Sequence, residues 1–117
     1  IRRKGERERL ENVTLVQGAS DDPRLPAATF DRILLVDVYH ELAAPQVFLR
    51  RLREAFKPDG RLVLVEYRKE DPRIPILEVH KMSVAEVKVE LEAEGFAIEK
   101  VIDVLPWQHI IVLRLKP

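Results

Sequence analysis

Apolar positions along this chain fall into two patterns, and the patterns alternate. Ile33–Val36 (ILLV) and Leu62–Val65 (LVLV) are short unbroken runs, the signature of strands buried on both faces of a parallel sheet. Between them Phe48, Leu52, Ala55 and Phe56 recur at helical spacing, behind Pro45, which suits the first turn of a helix. Lys57-Pro58-Asp59-Gly60 then punctuates the chain as a turn. Phe30 to Tyr67 is therefore predicted to be a β-α-β unit of parallel strands.

The flanking segments are read in the same way. Residues 1–11 interleave Arg and Lys with Glu and predict a solvated helix weakened at Gly5, stopping near Asn12. Val13–Val16 predicts a short strand ended by Gln17-Gly18, and Ala19 to Thr29, rich in Asp and Pro, predicts a loop. Residues 68–79 are a loop punctuated by proline. Ser83-x-x-Glu86 has the form of a capping box and predicts a helix from Val84 to Glu94, stopped at Gly95. Ala97–Leu105 and Ile110–Leu115 predict an antiparallel hairpin across Pro106–His109. One α/β domain over residues 1–117 accounts for all of it.

Charge and composition narrow the class. With 46% hydrophobic and 34% charged residues the chain is globular, and its formal net charge of zero argues against a partner held by phosphate neutralisation, so no nucleic-acid partner is expected. No cysteine is present, which removes disulfides, thiolate metal sites and thiol nucleophiles. No run approaches the roughly 18 apolar residues of a membrane span, and the start lacks the apolar core of a signal peptide, so a cytoplasmic protein without membrane contact is expected. Met82 is the sole methionine, and residue 1 is read as the start of a fragment.

Parallel strands deliver their following loops to one rim, and a final antiparallel strand starts from that same rim. Four stretches converge there: Asp37-Val38-Tyr39-His40-Glu41, Glu66-Tyr67-Arg68, His80-Lys81 and Trp107-Gln108-His109. They hold all three histidines, both tyrosines and the one tryptophan. Function tends to collect on such loops, although loop ends are polar in any protein. His40 followed by Glu41 invites a general-base reading, with a structural hydrogen bond as the alternative. His40, Glu41, His80 and His109 are all of metal-ligating type. No pair has the His-x-x-x-His spacing that sets two ligands on one helix face, so no metal is expected.

Longer words in the sequence resemble a known family. NVTLVQGAS, LPAATFDRILLVDVYHEL, LREAFKPDGRLVLVEYR and LEAEGF, in this order before a closing hairpin, are similar to the carboxyl-terminal two thirds of class I S-adenosylmethionine-dependent methyltransferases of the type 11 kind. Phe56-Lys57-Pro58-Asp59-Gly60-Arg61-Leu62 stands where the family has L-K-P-G-G-x-L. The resemblance implies a Rossmann-like, doubly wound, mostly parallel sheet with a C-terminal antiparallel hairpin. It also implies that the first two βα units, with their glycine loop and ribose-binding acid, are not in this chain.

The function so implied is methyl transfer from S-adenosylmethionine to a small-molecule acceptor. A non-catalytic Rossmann-like scaffold is the alternative, and weak cofactor binding by these 117 residues alone is expected. Cofactor contacts would fall on Gly18, Ala19, Ser20 and Asp21 after the first strand, and on Asp37 and Val38 after the central one. Ala19 departs from the family, which often has an acid there. Catalytic roles would fall on His40, Tyr39 and His109. An open edge at Val13–Val16 would also admit a homodimer paired through its strands.

Overall fold

The structure, a computed structural model, describes residues 11–117. Its elements are β1 (Phe30–Val36), α1 (Pro45–Ala55), β2 (Phe56–Arg68), β3 (Lys81–Met82), α2 (Val84–Glu92), β4 (Phe96–Ile102) and β5 (Gln108–Leu115), with 3-10 turns at Tyr39–Glu41 and Glu78–His80. The strands form one sheet in the order β1-β2-β5-β4, and β3 adds to the end of β2. β1 and β2 are parallel, with Ile33 opposite Leu62 and Val36 opposite Val65. β5 runs antiparallel to both β2 and β4, so β1, β2 and β4 share one direction. This is the expected mixed α/β sheet with a C-terminal antiparallel hairpin. The hairpin's second strand lies inside the sheet, between β2 and β4.

Side chains alternate across a strand, and the two faces have different fates. Leu62 and Leu64 of β2 and Ile111 and Leu113 of β5 point to one face. They join Leu49 and Leu52 of α1 and Val87 and Leu91 of α2 in a single core. Both helices therefore cover this face. Leu34 and Val36 of β1, on the other, remain 60% and 47% exposed.

Local chemistry explains the element ends. Pro45 opens α1, whose buried face is Phe48, Leu49, Leu52 and Ala55. Lys57–Gly60, expected as a plain turn, is looped out of β2 instead: Phe30 pairs with Phe56 but Arg32 with Arg61, which leaves the four residues unmatched. Gly60 is required there, since a Cβ would come within 2.4 Å of the Phe56 ring. At α2 the capping box is complete, with Glu86 N–H donating to Ser83 Oγ at 3.0 Å and Ser83 N–H to Glu86 Oε1 at 3.1 Å. Gly95, at φ +88°, ends the turn that follows.

One expectation falls outside the described residues and another is corrected. The helix expected over residues 1–11 lies almost wholly outside the described residues. Val13–Val16 is not a strand: Val13, Leu15 and Val16 are 44%, 43% and 48% exposed, and no described strand lies beside them to pair their backbone. On the polar side of α1, Arg53 donates to the carbonyls of Gly95 (3.3 Å) and Lys116 (2.7 Å), tying the helix to β4 and the end of β5.

Candidate active site

The rim where β1 and β2 end and β5 begins gathers the chemistry. Glu66 lies opposite His109, and Tyr67 opposite Gln108. Because neighbouring residues on a strand face opposite ways, the rim has two sides.

On the helix-covered side, Glu66 is fully buried. Its Oε1 accepts from the backbone N–H of His40 at 3.2 Å, and its Oε2 lies 2.7 Å from His40 Nδ1. Burial pushes the Glu66 carboxyl up, against the opposing pull of the His40 hydrogen bonds and charge. With Glu66 ionised, Nδ1 donates and Nε2 of His40 carries the lone pair. Nε2 is 3.7 Å from Glu41 Oε1. The His80 ring stands edge-on to that of His40, with centroids 5.4 Å apart. A cleft of about 210 Å³ opens beside them, bordered by Leu42, Lys69, Glu78 and Lys81 among others.

Two expected catalytic residues turn inward. Tyr39 is 2% exposed, and its hydroxyl donates to Glu90 at 3.1 Å. Burial first, then the neighbouring carboxylates, push the phenol far above its ordinary value, so it is no source of phenolate. His109 is also 2% exposed, with Nε2 held 2.9 Å from the Met82 carbonyl. His109 is therefore given a packing role, whereas Tyr39, held by Glu90, still borders the cleft.

On the other side stands Asp37. Its N–H donates to Val65 at 2.8 Å, which continues the β1–β2 ladder one residue beyond β1. Its φ is +54°, a left-handed conformation that a non-glycine residue adopts at some cost. Oδ2 accepts from Gln108 Nε2 at 2.7 Å. Oδ1 is buried and, among the described residues, the one buried side-chain oxygen or nitrogen without a hydrogen-bond partner. Native structures rarely leave such an acceptor empty, and a ligand donor is one resolution. Val38 follows at 39% exposure.

The loop of Gly18, Ala19, Ser20 and Asp21 makes a tight turn, with Ala19 N–H donating to Asp22 at 2.7 Å. Its acid contact is local: Asp22 Oδ1 accepts from the Arg24 N–H at 2.8 Å. The structure therefore brings His40, Glu41, Glu66 and His80 together on one side and Asp37 and Gln108 on the other. Trp107, next to Gln108 in the chain, is 48% exposed, and its carbonyl accepts from the Arg68 N–H at 3.0 Å. The partnerships of Glu66 with His40 and of Gln108 with Asp37 span 26 and 71 residues, and no local pattern announces them.

Ends of parallel strands at one rim, an acid with one unpaired oxygen just after β1 and a cleft on the rim's other side are features of an α/β fold of the Rossmann kind. The chain belongs to the methyltransferase domain family, whose model matches residues 1–64. Among solved structures it is similar to a SAM-dependent methyltransferase from Aquifex aeolicus, with 26% identity and a TM-score of 0.85 over 95% of this chain and 59% of that one. It also resembles in fold the mitomycin 7-O-methyltransferase MmcR (21%, TM-score 0.79, 97% of this chain and 38% of that one). The trans-methyltransferase CalH, solved as a complex with SAH, is a further match (18%, TM-score 0.76, 96% and 38%). The chain thus spans about three fifths of the Aquifex protein's length and less than half of the other two. No curated protein matches it by sequence.

Proposed function

We propose that this chain is the rim-bearing part of an enzyme that methylates a small molecule at an oxygen or nitrogen atom, with His40 accepting the proton released. S-adenosylmethionine is the cofactor of that reaction, and it supplies an electrophilic methyl group. The observation that carries the reading is the unpaired Asp37 Oδ1, a buried acceptor fixed by a strained backbone at the end of β1. An anionic oxygen there suits the cofactor's cationic amino group, and a charge-assisted bond is the strongest kind available. Val38 and the 18–21 turn are the further cofactor contacts of this reading.

The chain's own contribution to the reaction is position and proton handling. Glu66 holds His40 in one tautomer, with Nε2 toward the cleft. Transfer of a methyl group is governed mainly by alignment, so the rim's task is to fix the acceptor, and His40 adds a proton sink. Zero net charge and a cleft of about 210 Å³ favour a small acceptor over a polynucleotide.

Isothermal titration with S-adenosylmethionine, on the 117-residue chain and on the longest soluble form of the protein, tests the cofactor half. Asp37→Asn replaces the carboxylate by an amide of the same shape, keeps tolerance of positive φ and removes the charge. Affinity should fall about tenfold or more, as expected for loss of a hydrogen bond to a charged group, with the melting temperature little changed. Equal affinity in the variant overturns the Asp37 assignment, and no binding by any form favours the scaffold alternative. For the proton acceptor, His40→Asn retains a donor toward Glu66 and removes Nε2. A drop in kcat of about a hundredfold is expected with KM nearly constant.

A further inference from the structure

His40, Glu41 and His80 each present a ligand atom to one small space. The three atoms lie within 4.8 Å of one another, although 40 residues separate His40 from His80 in the chain. We propose that this triad is a binding site for a divalent transition-metal ion of the zinc type. The inference rests on geometry and ligand chemistry, not on the methyl-transfer reading.

The donor set is two imidazoles and one carboxylate, a combination zinc accepts with a fourth position left to water. What separates it from a chance meeting of polar side chains is His40. Its Nδ1 is tied at 2.7 Å to the fully buried Glu66 carboxylate. A carboxylate behind a histidine is the outer-shell arrangement that fixes the tautomer, aims Nε2 and raises its basicity toward a metal. The His40 side chain is 7% exposed, so one ligand is rigid at the start. Glu41, 65% exposed, and His80, also exposed, are free to close. They need to: tetrahedral zinc with bonds of about 2.0–2.1 Å wants its ligand atoms about 3.4 Å apart, a movement of about an ångström that two surface side chains make without disturbing the core.

Position in the fold supports the same conclusion. Glu41 comes from the 3-10 turn after β1, and His80 from the 3-10 turn before β3. An ion would therefore cross-link the two loops that border the cleft. On His40 Nε2 it would also occupy the lone pair that a proton acceptor needs, so zinc should suppress, not support, a reaction that uses His40 as base.

The chain suits a clean test, with three histidines, one of them the buried His109, and no cysteine. The metal-free 117-residue chain is titrated with Zn²⁺ by calorimetry and with Co²⁺ by visible absorption. One saturable equivalent is expected, and the Co²⁺ bands should show four or five ligands of the nitrogen and oxygen type. His80→Ala and Glu41→Gln, both at exposed positions, should each weaken Zn²⁺ by about tenfold or more. Glu66→Gln should weaken it by about 10–100-fold without removing a ligand, the size found for outer-shell partners. Unchanged melting of the His80→Ala and Glu41→Gln chains keeps the result from being a folding defect. Absence of a one-to-one Zn²⁺ complex, or binding that His80→Ala leaves intact, overturns the site.

Discussion

The two sides of the rim lie one residue apart along each strand, yet they are built to opposite rules. On the helix side the buried polar groups have internal partners: Tyr39 has Glu90, His40 has Glu66 and His109 has the Met82 carbonyl. On the other side Asp37 keeps an unpaired oxygen and a left-handed backbone, above a β1 face whose Leu34 and Val36 are half exposed. A saturated side holds the fold together. An unsaturated one holds capacity for a ligand, since a ligand donor there replaces nothing the protein already has. The helix side opens only at its outer lip, where Glu41 and His80 reach solvent.

Mutations on the two sides should separate these roles. Leu64→Ala, at a position with no exposure beneath both helices, should cost about 2–5 kcal/mol in urea unfolding. A value below 1 kcal/mol would mean that the helix side is not the structural one. His109→Ala removes a buried ring and leaves the Met82 carbonyl only the 3.4 Å bond from the Lys69 N–H, so a loss of about 1–3 kcal/mol is expected. If it lowered catalysis without lowering stability, the packing role given to His109 would be wrong.

Ser83→Ala should cost about 1 kcal/mol by opening the capping box. That effect has a pH signature. Burial alone would raise the Glu86 carboxyl, but hydrogen bonds from Ser83 and the charge of Lys69 outweigh it and hold the group below its ordinary value. A depressed carboxyl stabilises the fold above its unfolded pKa, and that contribution is lost as pH falls through the folded one. Melting curves of the native chain and Ser83→Ala should therefore converge as pH drops below about 4.5. The smallest effect is expected on the open face: Leu34→Ser should change stability by no more than about 0.5 kcal/mol. A large loss there would show that something described as open is covered in solution.

Elements whose patterns are local were legible in the sequence. The Ser83–Glu86 box, Pro45 at the head of α1 and the apolar runs of β1 and β2 each carry their signal within a few residues, and each was placed correctly. Val13–Val16 failed for the complementary reason, since β propensity states that a segment will pair but not that a partner stands beside it. The rim's membership followed from topology alone. Which rim residues face outward did not, because burial of Tyr39 and His109 depends on α2 and β3, elements 40 or more residues from Tyr39 in sequence. The triad of His40, Glu41 and His80 was invisible to motif spacing because its ligands come from two loops, not one helix.

The position of β5 has a consequence in time as well as in space. Of the described strands it is the last to be synthesised, yet it lies between β2 and β4 and pairs with both. Until it is made, β2 has only β1 and β3 beside it, and β4 has no described neighbour at all. Sheet closure cannot therefore proceed strand by strand from the amino end. It waits for β5, and the pairing of Leu62 with Leu113 closes a long loop, a slow kind of contact to form. A chain that stalls or is clipped before Gln108 is then not a slightly shorter domain but a β1-β2-β3 sheet with a sticky edge and a lone strand with nothing to pair against.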